Sequence, residues 1–119
     1  MSYIDGFVLP LKDGKVDDYR KMAEMFAGKA REHGATGVVE ALGDGLEHGH
    51  TTDFYRAVQA EEGENVVFSF IVWPDKSTRD TAWEKIMADP DMQPGSEMPF
   101  DGKRMFWGGF NPILNTLEK

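Results

Sequence analysis

Cysteine is absent from the 119 residues. Its absence excludes disulfides, thiolate nucleophiles and cysteine-ligated zinc, and it accords with a reducing compartment. Long apolar runs are absent too. The longest, Val66 to Trp73, is interrupted only by Ser69 and falls far short of the roughly 20 residues that span a bilayer. The opening residues Ser2, Tyr3 and Asp5 do not form the basic segment and apolar stretch of a secretory signal. Positive charge is sparse, with 13 Lys and Arg against 21 Asp and Glu for a formal net charge of −8. The nearest approach to a basic patch is Lys103-Arg104, whereas a nucleic-acid binder needs a concentrated cationic footprint. A cytoplasmic protein with neither a membrane nor a nucleic acid as partner is therefore expected. Phosphate loops, dinucleotide fingerprints and Ser/His/Asp nucleophile signatures are also missing, so no cofactor is implied.

What is present reads as one domain over residues 1–119, a length that supports a single core. Tyr3 to Leu9 alternates as a strand and Pro10 closes it. Asp13 or a neighbour caps a helix carrying Asp17 and Asp18 in its first turn, where acids suit the macrodipole. Val16, Tyr19, Ala23, Phe26 and Ala30 then recur at helical spacing, and His33-Gly34 is a stop signal. Ala35 to Leu42 reads as a second strand, followed by a glycine-rich loop. Thr51 to Ala60 alternates weakly, as an extended arm or short strand would. Val66 to Trp73 has the composition of a central strand buried on both faces. After Pro74, Asp75 or Ser77 caps a second helix with the pairs Ala82/Ile86 and Trp83/Met87, ended by Asp89-Pro90. A turn-rich loop containing Pro94, Gly95, Pro99 and Gly102 leads to a last strand, Arg104 to Phe110.

Two βαβ units in succession predict an α+β fold. Specifically, they predict a ferredoxin-like βαββαβ sandwich with a four-stranded antiparallel sheet and two helices on one face. Helices on one face leave the apolar side chains of the other uncovered. Four or five such side chains would each forgo roughly 1.5 to 3 kcal/mol in water. Self-association through that face, giving a homodimeric α+β barrel, is the simplest closed solution.

Several segments carry a resemblance. They are Asp5-Gly6-Phe7-Val8, Tyr19-Arg20-Lys21-Met22-Ala23, Thr52-Asp53-Phe54 with Arg56-Ala57-Val58, Glu61 to Ser69, Met87-Ala88-Asp89-Pro90, and the octapeptide Met98 to Met105. Together these resemble the YbaA-like bacterial proteins of unknown function, within the dimeric α+β barrel superfamily. The resemblance implies the barrel fold over nearly the whole chain. It implies no single chemistry, because that superfamily includes monooxygenases without cofactors, isomerases, haem proteins and binding domains.

Candidate sites follow from residue type. His48 and His50 with Glu47 or Asp53 are a partial metal-ligand set, weighed against a solvated glycine-rich loop, which is the reading adopted, with no metal. Asp53 and Arg56 present a carboxylate and a guanidinium three residues apart, as a pocket mouth or an ion pair would. Glu40, an acid in an apolar strand, is a candidate general base, or a surface carboxylate if its strand is an edge. Trp73 and Trp107, with Trp83, Tyr3 and Phe68, are candidates to line a cavity between sheet and helices. The functional expectation is a homodimer binding a small, partly apolar organic molecule, of the cofactor-free oxygenase or isomerase type. The alternative is a non-catalytic structural or protein-interaction module whose apolar face serves only dimerisation. A cavity with convergent polar groups discriminates the first from the second.

Overall fold

The computed structural model describes residues 2–92 and 98–117. Strand β1 (Tyr3–Lys12) lies between β3 (Glu64–Trp73) and β4 (Phe106–Phe110), and β2 (Gly37–Leu42) flanks β3 at the other edge. The sheet order is β2-β3-β1-β4 and every pairing is antiparallel. Helix α1 (Val16–Glu32) connects β1 to β2 across the intervening β3, and α3 (Lys76–Ala88) connects β3 to β4 across β1. The four-stranded antiparallel sheet and the α+β class agree with the expectation from element order.

Alternation decides what each face carries. Tyr3, Asp5, Leu9 and Leu11 of β1 are buried on one face, in company with Val67, Ser69, Ile71 and Trp73 of β3. Both long helices cover this face: Ala30 of α1 and Ala82 of α3 pack with Tyr3, Ile71 and Trp73, while Tyr19 and Ala23 of α1 pack with Leu9, Leu11 and Val67. The helical spacing read along α1 therefore marks its true inner side. Gly34 ends α1 at φ 113°, and a Cβ there would lie 2.6 Å from the Thr78 methyl. Asp75 caps α3 by accepting the Thr78 N–H at 2.7 Å. Asp13, by contrast, sits in a 3₁₀ turn (Asp13–Lys15), and the residue before α1 is Lys15, with no side-chain cap.

Three local expectations are corrected. Pro10 does not close β1, which continues to Lys12 with Pro10 opposite Val66. Val66 directs its carbonyl toward Gly43, on the β2 side, so the position of the missing Pro10 N–H faces the β4 side. The β1–β4 ladder ends at Val8–Phe106, so no hydrogen bond is lost there. Thr51 to Ala60 is neither an arm nor a strand. It contains a short helix, α2 (Phe54–Ala57), because the Asp53 carboxylate accepts the Arg56 N–H at 2.8 Å and nucleates the turn. Val66 to Trp73 is central but not buried on both faces, since Phe68 is 45% exposed. Pro94 and Gly95 of the expected loop lie outside the described residues.

The second face of the sheet is partly covered. The α2 segment seals one corner, where Val58 packs with Val8 and Val66 beside Leu46 and Tyr55. Beyond that corner Val39, Phe68, Phe106 and Phe110 remain exposed. No described helix is long and apolar enough to cross a membrane.

Candidate functional site

The side chains of the described residues do not fill the space between the two long helices and the sheet. A solvent-connected cleft of about 1210 Å³ remains, with apolar surface dominating its lining. Phe7 and Leu9 of β1 with Trp107 of β4 contribute apolar floor. Phe26 and Trp83 face one another across the helices at 5.6 Å between ring centroids, and Phe7 lies 6.3 Å from Trp83. Six of the seven methionines, Met22, Met25, Met87, Met92, Met98 and Met105, border the same space. Their flexible thioethers make the wall adaptable in shape and polarisable.

Two polar groupings converge on this space. The first is built on Glu40, whose register partner on β3 is Ser69. Tyr19, projecting from the inner side of α1, donates its hydroxyl to Glu40 Oε1 at 2.5 Å, and Ser69 Oγ donates to Oε2 at 3.3 Å. Phe100 closes over Tyr19 edge-on at 5.7 Å. Desolvation raises the Glu40 carboxyl above the usual carboxylate range, opposed by the hydrogen bonds from Tyr19 and Ser69. Burial also pushes the Tyr19 phenol well above its ordinary value, and the bond to Glu40 and its charge push it further. The phenol therefore stays protonated as a donor while the carboxyl gains basicity. Glu40 lies on the edge strand and is exposed, as one reading of the sequence held. Its carboxylate nevertheless turns to the helix face rather than simply to solvent.

The second grouping is centred on Asp5, a buried acid that sequence reasoning did not single out as a site residue. The Arg79 guanidinium donates to both of its oxygens, with Nη2 at 2.7 Å from Oδ1 and Nε at 3.0 Å from Oδ2. The indole N–H groups of Trp73 and Trp83 each donate to Oδ2 at 2.9 Å. Arg79 also lies 5.1 Å above the Tyr3 ring centroid. Charge-assisted bonds to Asp5 hold Arg79 protonated more firmly than an ordinary guanidinium. An acid at an inward position of an alternating strand was the available signal, because such a residue is stable only with a cation or several donors beside it.

The remaining candidates divide. Trp107 and Trp83 line the cleft together with Glu40. Trp73 does not: it is fully buried core, and its N–H is committed to Asp5. Tyr3 packs in the core beneath Arg79, and Phe68 points to the opposite face of the sheet. Asp53 and Arg56 are not brought to the cleft. They belong to the α2 segment on the other face, where the Asp53 side chain, 3% exposed, accepts the backbone N–H groups of Arg56 and Gly49 and is thereby held below the usual carboxylate range. Arg56 donates to the His50 carbonyl at 3.1 Å. His48 stacks on Tyr55 at 4.7 Å, with Nδ1 3.5 Å from Asp53. Among the described residues no group of three His, Cys, Asp or Glu gathers as metal ligands would. The octapeptide that carries the family resemblance contributes Met98, Pro99, Phe100 and Met105 to the cleft wall. It also places Arg104 against Glu64, with bonds of 2.7 and 2.8 Å.

Comparison with known proteins places these features in context. The model of a family described as a protein of unknown function (DUF1428) matches residues 2–102. The uncharacterized protein YbaA of Escherichia coli (strain K12) is 48% identical over 116 residues, covering 97% of this chain and 99% of the relative, and the YbaA of Shigella flexneri matches to the same extent. Among solved structures, a mutant of SnoaB, described as a cofactor-independent oxygenase from Streptomyces nogalater, superposes with a TM-score of 0.55 at 11% identity over 98% of each chain. Rv0793 from Mycobacterium tuberculosis superposes with a TM-score of 0.50 at 9% identity over 98% of this chain and 99% of that one. At such identities the likeness concerns the fold.

Proposed function

We propose, for a chain that belongs to the DUF1428 family of proteins of unknown function, that it binds a small, partly apolar organic molecule in the cleft between helices and sheet and moves a proton on it without a cofactor. The observation that carries this reading is a largely apolar cleft of about 1210 Å³ onto which a basic carboxylate, a phenol and a hydroxyl converge. Filled interiors belong to the alternative, a module whose apolar surfaces serve packing alone. Glu40 is the proton acceptor in this reading. Its carboxyl, partly desolvated although the residue as a whole is exposed, is more basic than a fully solvated one, and it lines the cleft. Tyr19 and Ser69 are positioning residues that fix the carboxylate through their hydroxyls. Proton abstraction can begin either an isomerisation or a cofactor-free oxygenation, and SnoaB, which is similar in fold, is described as a cofactor-independent oxygenase. Asp5 and Arg79 brace the other end of the cleft as a nearly neutral unit.

The same reading includes a cytoplasmic homodimer joined through the open sheet face. Val39, Phe68, Phe106 and Phe110 form the apolar surface that supports it.

Native mass spectrometry of protein purified from its own host tests the ligand. A mass exceeding that of the bare protein, lost in Glu40→Gln or in a Trp107→Ala variant, is expected. A bare mass, together with no stabilisation across a metabolite thermal-shift panel, would remove the basis for a ligand site.

A further inference from the structure

The charges around the cleft are almost all matched. Arg79 pairs with Asp5 at 2.7 Å and with Asp80 at 3.0 Å. Lys15 pairs with Asp18 at 3.8 Å, and Asp91 with Lys29 at 3.6 Å. Glu40 is the exception. Among the described residues no cation stands within ion-pair distance of it, and residues 93–97 contain neither Lys nor Arg. Its two known partners, Tyr19 and Ser69, are neutral donors that leave each carboxylate oxygen with room for another donor. The cleft that this acid borders is lined elsewhere by aromatic rings and thioethers, which suit the body of an organic cation.

We propose that the occupant of the cleft is an organic cation, an ammonium carried on an aromatic or alkyl body, whose charge is received by Glu40. The proposal rests on the cleft being the ligand site and not on Glu40 accepting a proton, since an ammonium beside a carboxylate lowers its basicity. Carboxylates, phosphates and sulfates are disfavoured, because the cations among the described cleft residues are already engaged by acids and the one unpaired charge among those residues is negative. Neutral alcohols fit the shape but leave that charge unmatched. The formal net charge of −8 also draws cations toward the molecule.

Isothermal titration of the full chain at neutral pH with phenethylamine, phenethyl alcohol and hydrocinnamate tests the assignment on one carbon skeleton. The amine is expected to bind at least about tenfold tighter than the alcohol, as one charge-assisted bond supplies, with hydrocinnamate weakest. In Glu40→Gln the advantage of the amine should fall below about threefold. Asp18→Asn, a charge change elsewhere on the cleft lining that leaves Glu40 and both of its donors in place, should keep the preference. Alcohol binding as tight as the amine, hydrocinnamate binding best, or a preference that survives Glu40→Gln overturns the cation assignment while leaving the cleft a ligand site. Absence of binding by all three at millimolar concentration overturns the assignment and the cleft reading together.

Discussion

Asp5 shows at residue scale how one side chain organises a region. It is buried in the central strand and receives donors from Arg79, Trp73 and Trp83. Removing its charge leaves a partly buried guanidinium and two indole N–H groups short of an acceptor. Asp5→Asn should cost about 3 to 5 kcal/mol in urea denaturation, as breaking a buried pair does. Asp5→Asn combined with Arg79→Met should recover part of that loss, and a double variant no better than the single one would contradict the pairing. Glu40 behaves in the opposite sense. Its folded-state pKa is raised, so the folded protein holds this proton more tightly than the unfolded chain. Its relative stabilisation is present below the unfolded value of about 4.3 and is lost as pH rises through the raised folded value. Glu40→Gln should therefore gain stability relative to wild type across that window. Parallel stability curves in denaturation at a series of pH values would show that the carboxyl is not desolvated.

At the scale of elements, the pair Glu64–Arg104 ties the start of β3 to the loop ahead of β4. Arg104 also holds the Gln59 carbonyl at 2.9 Å, beside the left-handed Gln59 at φ 51°, and Asp101 at 2.9 Å. Both partners are well covered, with the Glu64 side chain 3% exposed. Arg104 depresses the Glu64 pKa, so the stabilisation is present above the unfolded value of about 4.3 and disappears as pH falls through the depressed one. Arg104→Met should cost about 3 kcal/mol near neutrality and much less in acid. A cost that does not shrink on acidification would assign the effect to packing instead.

For the whole molecule, the exposed apolar face predicts its assembly. Val39, Phe68, Phe106 and Phe110 lie on the side the long helices leave bare, and the tail beyond β4 adds Ile113, Leu114 and Leu117 to the exposed apolar residues. Sedimentation velocity at micromolar concentration should give a dimer. Phe110→Glu should shift it to a monomer with unchanged far-ultraviolet circular dichroism, because that side chain is 61% exposed in its own subunit. A wild-type monomer at that concentration would refute pairing through the sheet.

Element order, sheet class and the inner side of α1 were legible in the sequence because they follow from periodicity, a property of neighbouring residues. The same reasoning placed Trp107 and Glu40 among the candidates, since an aromatic in a strand and an acid in an apolar run are local anomalies. It could not tell cleft from core. Trp73 and Trp83 are equally aromatic, but one is sealed under the helices and the other opens to the cleft. Asp53 and Arg56 read as a pocket mouth or an ion pair because of their spacing; they form the ion pair, at 3.6 Å, and the carboxylate also caps a turn of its own segment. Only tertiary structure brought Asp5 to Arg79 and Trp83, 74 and 78 residues away, and Tyr19 to Glu40 across 21. Periodicity states which side of an element faces inward. What that side meets is decided by sheet order and register, which pairing over long sequence separations sets.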